Sequence, residues 1–293
     1  MFSPSHFLQI WSRVSLPLAA GALMALAGCD GLLKDLETQE VGVAVLLATP
    51  DMKDPLTQEP IAGVTTIDVF FGQVDVSQGL SGAGITSDAY TGRADASVHL
   101  SFSDPHGGGP RDLVVPSVGN GEFRLDSRDE PQLVYAQVAY TVTIVLEGHT
   151  YRMQVVAPGQ TDITEIEQTA DGVIRDHVAG APLTVTRADG QGADKNDPAF
   201  VRLTALGHGD PTEAWTNAPS DAVGFVDVVL RDDRWRVDQF VVPGSEFTRG
   251  SAYLLTLAPL ARGEVVTTHG ETQLFLGSAF FAGMASGGAV IAP

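Results

Sequence analysis

The chain has 293 residues, 44% of them hydrophobic and 18% charged, with 32 glycines and 17 prolines. That length suits two domains of ordinary size, and the apolar content is too high for a disordered polypeptide. Lys and Arg number 17 against 36 Asp and Glu, a formal charge of −19, which argues against a surface built to meet nucleic-acid phosphate.

The N-terminus has the layout of a secretory signal. Arg13 precedes an apolar run from Val14 to Ala27 that is shorter than the roughly 18 apolar residues of a spanning helix. The run closes on Leu26-Ala27-Gly28-Cys29, and Cys29 is the only cysteine. These four letters in this context resemble the lipobox of bacterial lipoproteins. The resemblance implies that residues 1–28 are removed, that the Cys29 thiol carries a diacylglycerol, and that its new amino group is acylated with a palmitate-type chain. Two or more acyl chains anchor stably where one does not. The resemblance therefore places the protein in the bacterial cell envelope, membrane-attached through Cys29 and facing the periplasm. Asp30 resembles an inner-membrane retention signal, with the outer membrane as the alternative. Residues 29–40 read as a lipidated tether, and the mature chain has no cysteine pair from which to form a disulfide.

Beyond the tether, apolar residues alternate with polar ones in Val98-His-Leu-Ser-Phe102, Phe123-Arg-Leu125, Tyr151-Arg-Met-Gln-Val155, Val201-Arg-Leu203 and Trp235-Arg-Val237. Period two is the signature of half-buried antiparallel strands. Ile67-Asp-Val-Phe-Phe71 alternates too, but its phase slips at Gly72 before Val74, which predicts a bulge or turn there. The stretch from Val134 to Leu146 is predicted to form a hairpin with 151–156 across Glu147-Gly-His149. No segment after the signal has helical periodicity, so the body is predicted to be all-β.

Four short blocks recur in the same order, a little over a hundred residues apart. Ala96-Ser-Val-His-Leu-Ser101 matches Ala199-Phe-Val-Arg-Leu-Thr204, and Pro116-Ser-Val-Gly119 matches Pro219-Ser220 with Val223-Gly224. Phe123-Arg-Leu-Asp126 matches Trp235-Arg-Val-Asp238, and Ala139-Tyr-Thr-Val-Thr-Ile144 matches Ala252-Tyr-Leu-Leu-Thr-Leu257. The collinearity predicts a duplicated module: one β-sandwich over 41–160, a linker over 161–174, and a second sandwich over 175–293. Phe247-Thr-Arg-Gly-Ser-Ala-Tyr253-Leu-Leu-Thr-Leu257 resembles the tyrosine-corner stretch of fibronectin type III and immunoglobulin-like sandwiches. The resemblance implies two tandem antiparallel sandwiches with Tyr140 and Tyr253 as structural anchors.

The sequence holds none of the common hydrolase, metalloprotease or phosphate-loop strings and no cofactor-binding motif, and the protein is read as not an enzyme. The acidic loop bearing Asp189, Asp194 and Asp197 is the nearest approach to a metal site. Its spacing is not that of an EF-hand, and a solvated turn is the other reading. Trp215 is a candidate ligand contact, either exposed on a loop or folded back over the sandwich. Residues 77–95, 103–120, 189–197 and 207–220 are expected to be loops that carry recognition. The function expected is a non-catalytic binding or scaffolding module, with a basic face on the partner protein to meet the acidic body. A carbohydrate-binding lipoprotein is the alternative, and after it an envelope hydrolase whose site is assembled across strands from His with Asp or Ser.

Overall fold

The computed structural model describes residues 38–75, 87–130, 133–159, 172–187, 196–207, 211–230, 233–266, 274 and 277–293. The first half supplies β1 (Thr38–Ala48), β2 (Met52–Lys53), β3 (Pro60–Ile61), β4 (Thr65–Asp75), β5 (Tyr90–Gly92) and β6 (Ser97–Asp104). It continues with β7 (Gly109–Val115), β8 (Ser117–Gly119), β9 (Glu122–Asp126), β10 (Ala139–Leu146) and β11 (His149–Val156). The second half supplies β12 (Val173–Ile174), β13 (Leu183–Thr186), β14 (Ala199–Leu206), β15 (Thr212–Thr216), helix α1 (Ala222–Leu230) and β16 (Gln239–Val242). The last strands are β17 (Ser251–Arg262), β18 (Glu264–Val266), β19 (Ala279–Met284) and β20 (Ser286–Ala292). Among the described residues the protein is all-β apart from α1 and short 3₁₀ turns.

In the first sandwich the sheet β18-β11-β10-β6-β7 faces the strands β19-β1-β4-β9-β8. Side chains of period two fill the space between them. Leu46, Ile67, Phe71, Phe123 and Phe280 come from one sheet and Leu100, Tyr140, Ile144 and Met153 from the other, all of them fully buried. Each such side chain contributes on the order of 1.5–3 kcal/mol of transfer free energy. The β10–β11 hairpin closes on Glu147 and Gly148, both with positive φ, the geometry of a tight two-residue turn that matches strand twist. Residues 134–138, expected to extend this strand, lie outside it.

The second sandwich sets β12-β20-β17-β14-β15 against the pair β13–β16. Its core includes Val185, Val201, Leu203, Leu255, Val242 and Val290. Two of the four repeated blocks occupy equivalent places. In the first half Val98 pairs with Ile144 and Leu100 with Val142; in the second Val201 pairs with Leu257 and Leu203 with Leu255. The register is the same. The other two blocks do not correspond. Pro116–Gly119 leads into and forms β8, whereas Val223-Gly224 lies in α1. Asp233–Trp235 forms a 3₁₀ turn rather than a strand, and the strand that pairs with β13 as β9 pairs with β4 is β16, further along the chain.

Helix α1 departs from the expectation of no helix. Its sequence, AVGFVDVVL, is rich in β-branched residues that favour strands, but Asp221 caps it by accepting the Gly224 N–H at 2.8 Å. Its apolar side chains pack on the outer face of β1 and β4. Phe225 stacks on Phe70 with ring centroids 4.9 Å apart and meets Phe200 edge-on. This second buried layer takes Val41, Val43, Val45 and Val74, so β1 from Val41 onward and β4 from Val69 to Gly72 are covered on both faces. The slip at Gly72 has the same cause. β4 stays in unbroken register with β1, and Gly72 leaves room for the Tyr90 ring packed against it. There is no bulge.

The strands also cross the expected domain boundaries. β17 starts between β14 and β20 and ends, at Leu260–Arg262, paired with β19. β19 then runs parallel to β1, and β18 adds to β11. β18 and β19 thus belong to the first sandwich although the chain enters them from the second. β1 begins at Thr38, inside the expected tether, and β12 falls inside the expected linker.

Candidate recognition end

The antiparallel pair β1–β4 gives the first sandwich two unlike ends. At one end β1 begins, with Thr38 opposite Asp75; at the other the chain leaves β1 at Ala48 and re-enters β4 at Thr65. β1 has 11 residues, so the two ends are roughly 35 Å apart.

The segment 49–64 at the far end is a small hairpin with its own hydrogen bonds. β2 and β3 pair, and Thr49 and Val64 close its base through Thr49 N–H to Val64 O and Val64 N–H to Thr49 Oγ1, both 2.8 Å. At the tip Asp54 Oδ1 accepts the N–H groups of Leu56 and Thr57 at 2.7 and 3.1 Å, and Asp54 O accepts from Gln58. Asp51 Oδ1 accepts the Gly63 N–H at 2.7 Å. A side chain at Gly63 would collide with the Thr49 carbonyl, and one at Gly287 with Met52, so two glycines let the hairpin seat on the body. Leu56 at its tip is 61% exposed and Val64 at its base 47%.

Two further turns share this end. Ser127 N–H donates to Thr65 O at 2.8 Å, which brings the turn after β9 beside the hairpin. There the Arg128 guanidinium and backbone N–H hold the Asp126 carboxyl well down, at about 2. Arg111 on β7 pairs with Glu130 and lies over the Phe102 ring. Tyr135 packs between Phe102 and His106, and its N–H donates to Tyr140 Oη at 2.7 Å. Burial pushes the Tyr140 hydroxyl up to about 12. Thr248 N–H donates to Tyr253 Oη at the same distance. Both tyrosines are therefore corner anchors five residues after their donors.

The opposite end gathers Glu40, Gln73, Tyr90, Arg93, Asp95 and Glu147. Arg93 bridges Asp95 and Glu147 at 3.3 and 3.1 Å. Gln73 Nε2 donates to Glu40 Oε1 at 2.9 Å, while Glu40 Oε2 and Tyr90 Oη have no hydrogen-bond partner among the described residues. Burial raises the pKa of both groups above their ordinary values.

Of the residues singled out from sequence, Cys29, Asp189 and Asp194 lie outside the described residues. The Asp197 carbonyl accepts from the buried Arg187 side chain. Trp215 is not on a loop: it sits on β15 opposite Leu203 and packs, half-buried, on the second core. Residues 109–115 and 212–216, expected to be loop, are strands. No group of three or more His, Cys, Asp or Glu among the described residues could hold a metal ion, and no helix among them is long and apolar enough to cross a membrane.

Among the described histidines, His99 joins an arrangement of chemical interest. Its Nε2 is 3.2 Å from Ser97 Oγ and its Nδ1 3.4 Å from Asp112 Oδ2. The order Ser–His–Asp is that of an activated serine. These residues lie on the open face of the sheet, with His99 34% and Asp112 66% exposed. β6 is paired on both sides, so its backbone N–H groups serve the ladder and do not converge near Ser97 on a developing oxyanion. This geometry is that of a cross-strand surface pair. His177 is held by the Ala181 carbonyl at 3.0 Å and by the Phe247 ring.

Sequence reasoning missed the 49–64 hairpin, although Asp54-Pro55 is a turn signal. No protein-family model matches the chain, and no curated protein is similar in sequence. Among solved structures the chain is similar to the chicken interferon gamma receptor alpha chain. The identity is 8% and the TM-score 0.22, over 78% of this chain and 92% of that one. It is also similar to the FN1–FN3 domains of chicken CNTN1, at 10% identity and TM-score 0.19, over 75% and 62%.

Proposed function

We propose that this chain is a lipid-anchored protein of the bacterial envelope that works by binding and has no turnover chemistry. The Leu26-Ala27-Gly28-Cys29 lipobox supports attachment through Cys29. The observation that carries the binding reading is the polarity of β1. The tether would enter at Thr38, and the pre-organised hairpin with its neighbouring turns lies at the opposite end, facing away from the bilayer. Asp51, Asp54, Glu59, Asp104 and Asp129 at that end favour a partner protein with a basic face. The Ser97–His99–Asp112 group supports a cross-strand contact rather than hydrolysis, because it has neither enclosure nor oxyanion donors. Trp215, packed against the second core, lends little support to a sugar-stacking platform.

Replacing 51–61 with a two-residue turn tests the reading. Capture of the partner by the anchored protein should fall at least tenfold while the near-ultraviolet circular dichroism is kept, and Cys29→Ala should leave the detergent phase on partitioning. Undiminished capture, or hydrolysis of an ester substrate that is lost in Ser97→Ala, would overturn it.

A further inference from the structure

We infer that Leu56 is the apolar anchor of this recognition end, inserting into an apolar socket with a basic rim on a partner protein; the inference rests on the binding reading above. Leu56 is among the most exposed large apolar side chains of the described residues. It sits on a tip whose backbone is fixed by Asp54, so little conformational entropy remains to be lost on docking. An unsupported loop would fold an exposed leucine back onto the body; the two Asp54 bonds and the Asp51–Gly63 bond hold this one out.

Charge selects the occupant. Asp51, Asp54 and Glu59 share the 49–64 hairpin with Leu56, whose one basic residue is Lys53, and the whole chain stands at −19. A second copy would bring two acidic tips together, and an anionic bilayer would repel the rim. A basic protein surface satisfies both the carboxylates and the leucine. Burying one leucine is enough to change affinity by about tenfold or more.

The test places the photo-cross-linker benzoylphenylalanine at position 56 of the membrane-anchored full chain, with positions 106 and 241 as comparisons. Val241 is 57% exposed on the second sandwich and serves as the control for exposure alone. A discrete protein adduct from position 56, several-fold stronger than from 241, is expected. Its yield should fall several-fold as salt rises from about 0.05 M to about 0.3 M. In a chain cross-linked from position 106, Leu56→Ala and Glu59→Lys should each lower the yield about tenfold. An adduct to lipid or to a second copy, equal yields at 56 and 241, or indifference to salt would overturn the inference. Adducts from 106 that persist in Leu56→Ala would discard the leucine anchor and leave the recognition end standing. Adducts from 241 alone would remove both.

Discussion

At Tyr140 and Tyr253 the phenolic oxygen accepts a backbone N–H from five residues earlier in the chain. Phenylalanine at either position should cost about 1–3 kcal/mol, the range for a buried donor left unpaired. The two losses should add, because the residues sit in different cores; denaturant titration of the single and double variants measures both. Glu40 presents the reverse case. Burial raises its pKa, so the folded state holds its proton to a higher pH than the unfolded chain. The stability it contributes is full below the unfolded value of about 4.3 and is lost as pH rises through the folded value. Glu40→Gln, which keeps an acceptor for Gln73, should therefore stabilise the protein at pH 7. The gain should disappear near pH 4, as read by urea midpoints at the two pH values. The tyrosines were legible in the sequence through their shared Ala-Tyr context. Glu40 was not, because its environment is assembled from β1, β4 and β5.

Among the elements, α1 tests local preference against tertiary context. Its valines disfavour a helix, and Asp221 together with the apolar layer over β1 and β4 imposes one. Phe225→Ala should cost about 3–5 kcal/mol, since it opens the contacts with both Phe70 and Phe200. Hydrogen exchange should speed first in 222–230. The strands show the converse. β6, β9, β11 and β14 were visible because each has one wet face, and the wet face writes polar residues at every second position. β1 and the middle of β4 have no wet face, so alternation fades there and Gly72 reads as a defect. β7 and β15 were masked by Gly, Pro, Asp and Thr, residues that also make loops.

On the scale of the whole molecule, β18 and β19 bind the two sandwiches together. Leu274, Phe280 and Ala282 join the first core, and β19 is paired with both β1 and β17. A chain ending at residue 262 should therefore lose the first sandwich even though every residue of 38–159 is present. Near-ultraviolet circular dichroism and limited proteolysis would show it, whereas independent modules would leave 38–159 protected. Two of four repeated blocks recur in equivalent register, which is as far as linear comparison could reach: paired strands drift little, and the connections between them are free to become a helix or to invade a neighbour.

The sequence by itself determined the all-β class, the matching register of the β6–β10 and β14–β17 pairs and their tyrosine anchors, because period-two patterning and short motifs are local. The tertiary structure decided which strands share a sheet, where α1 lies and which end of the first sandwich carries the exposed hairpin. Those outcomes depend on contacts such as Val43 with Ala279, between residues distant along the chain. A strand's pattern records that a face is buried, and it does not record which partner buries it.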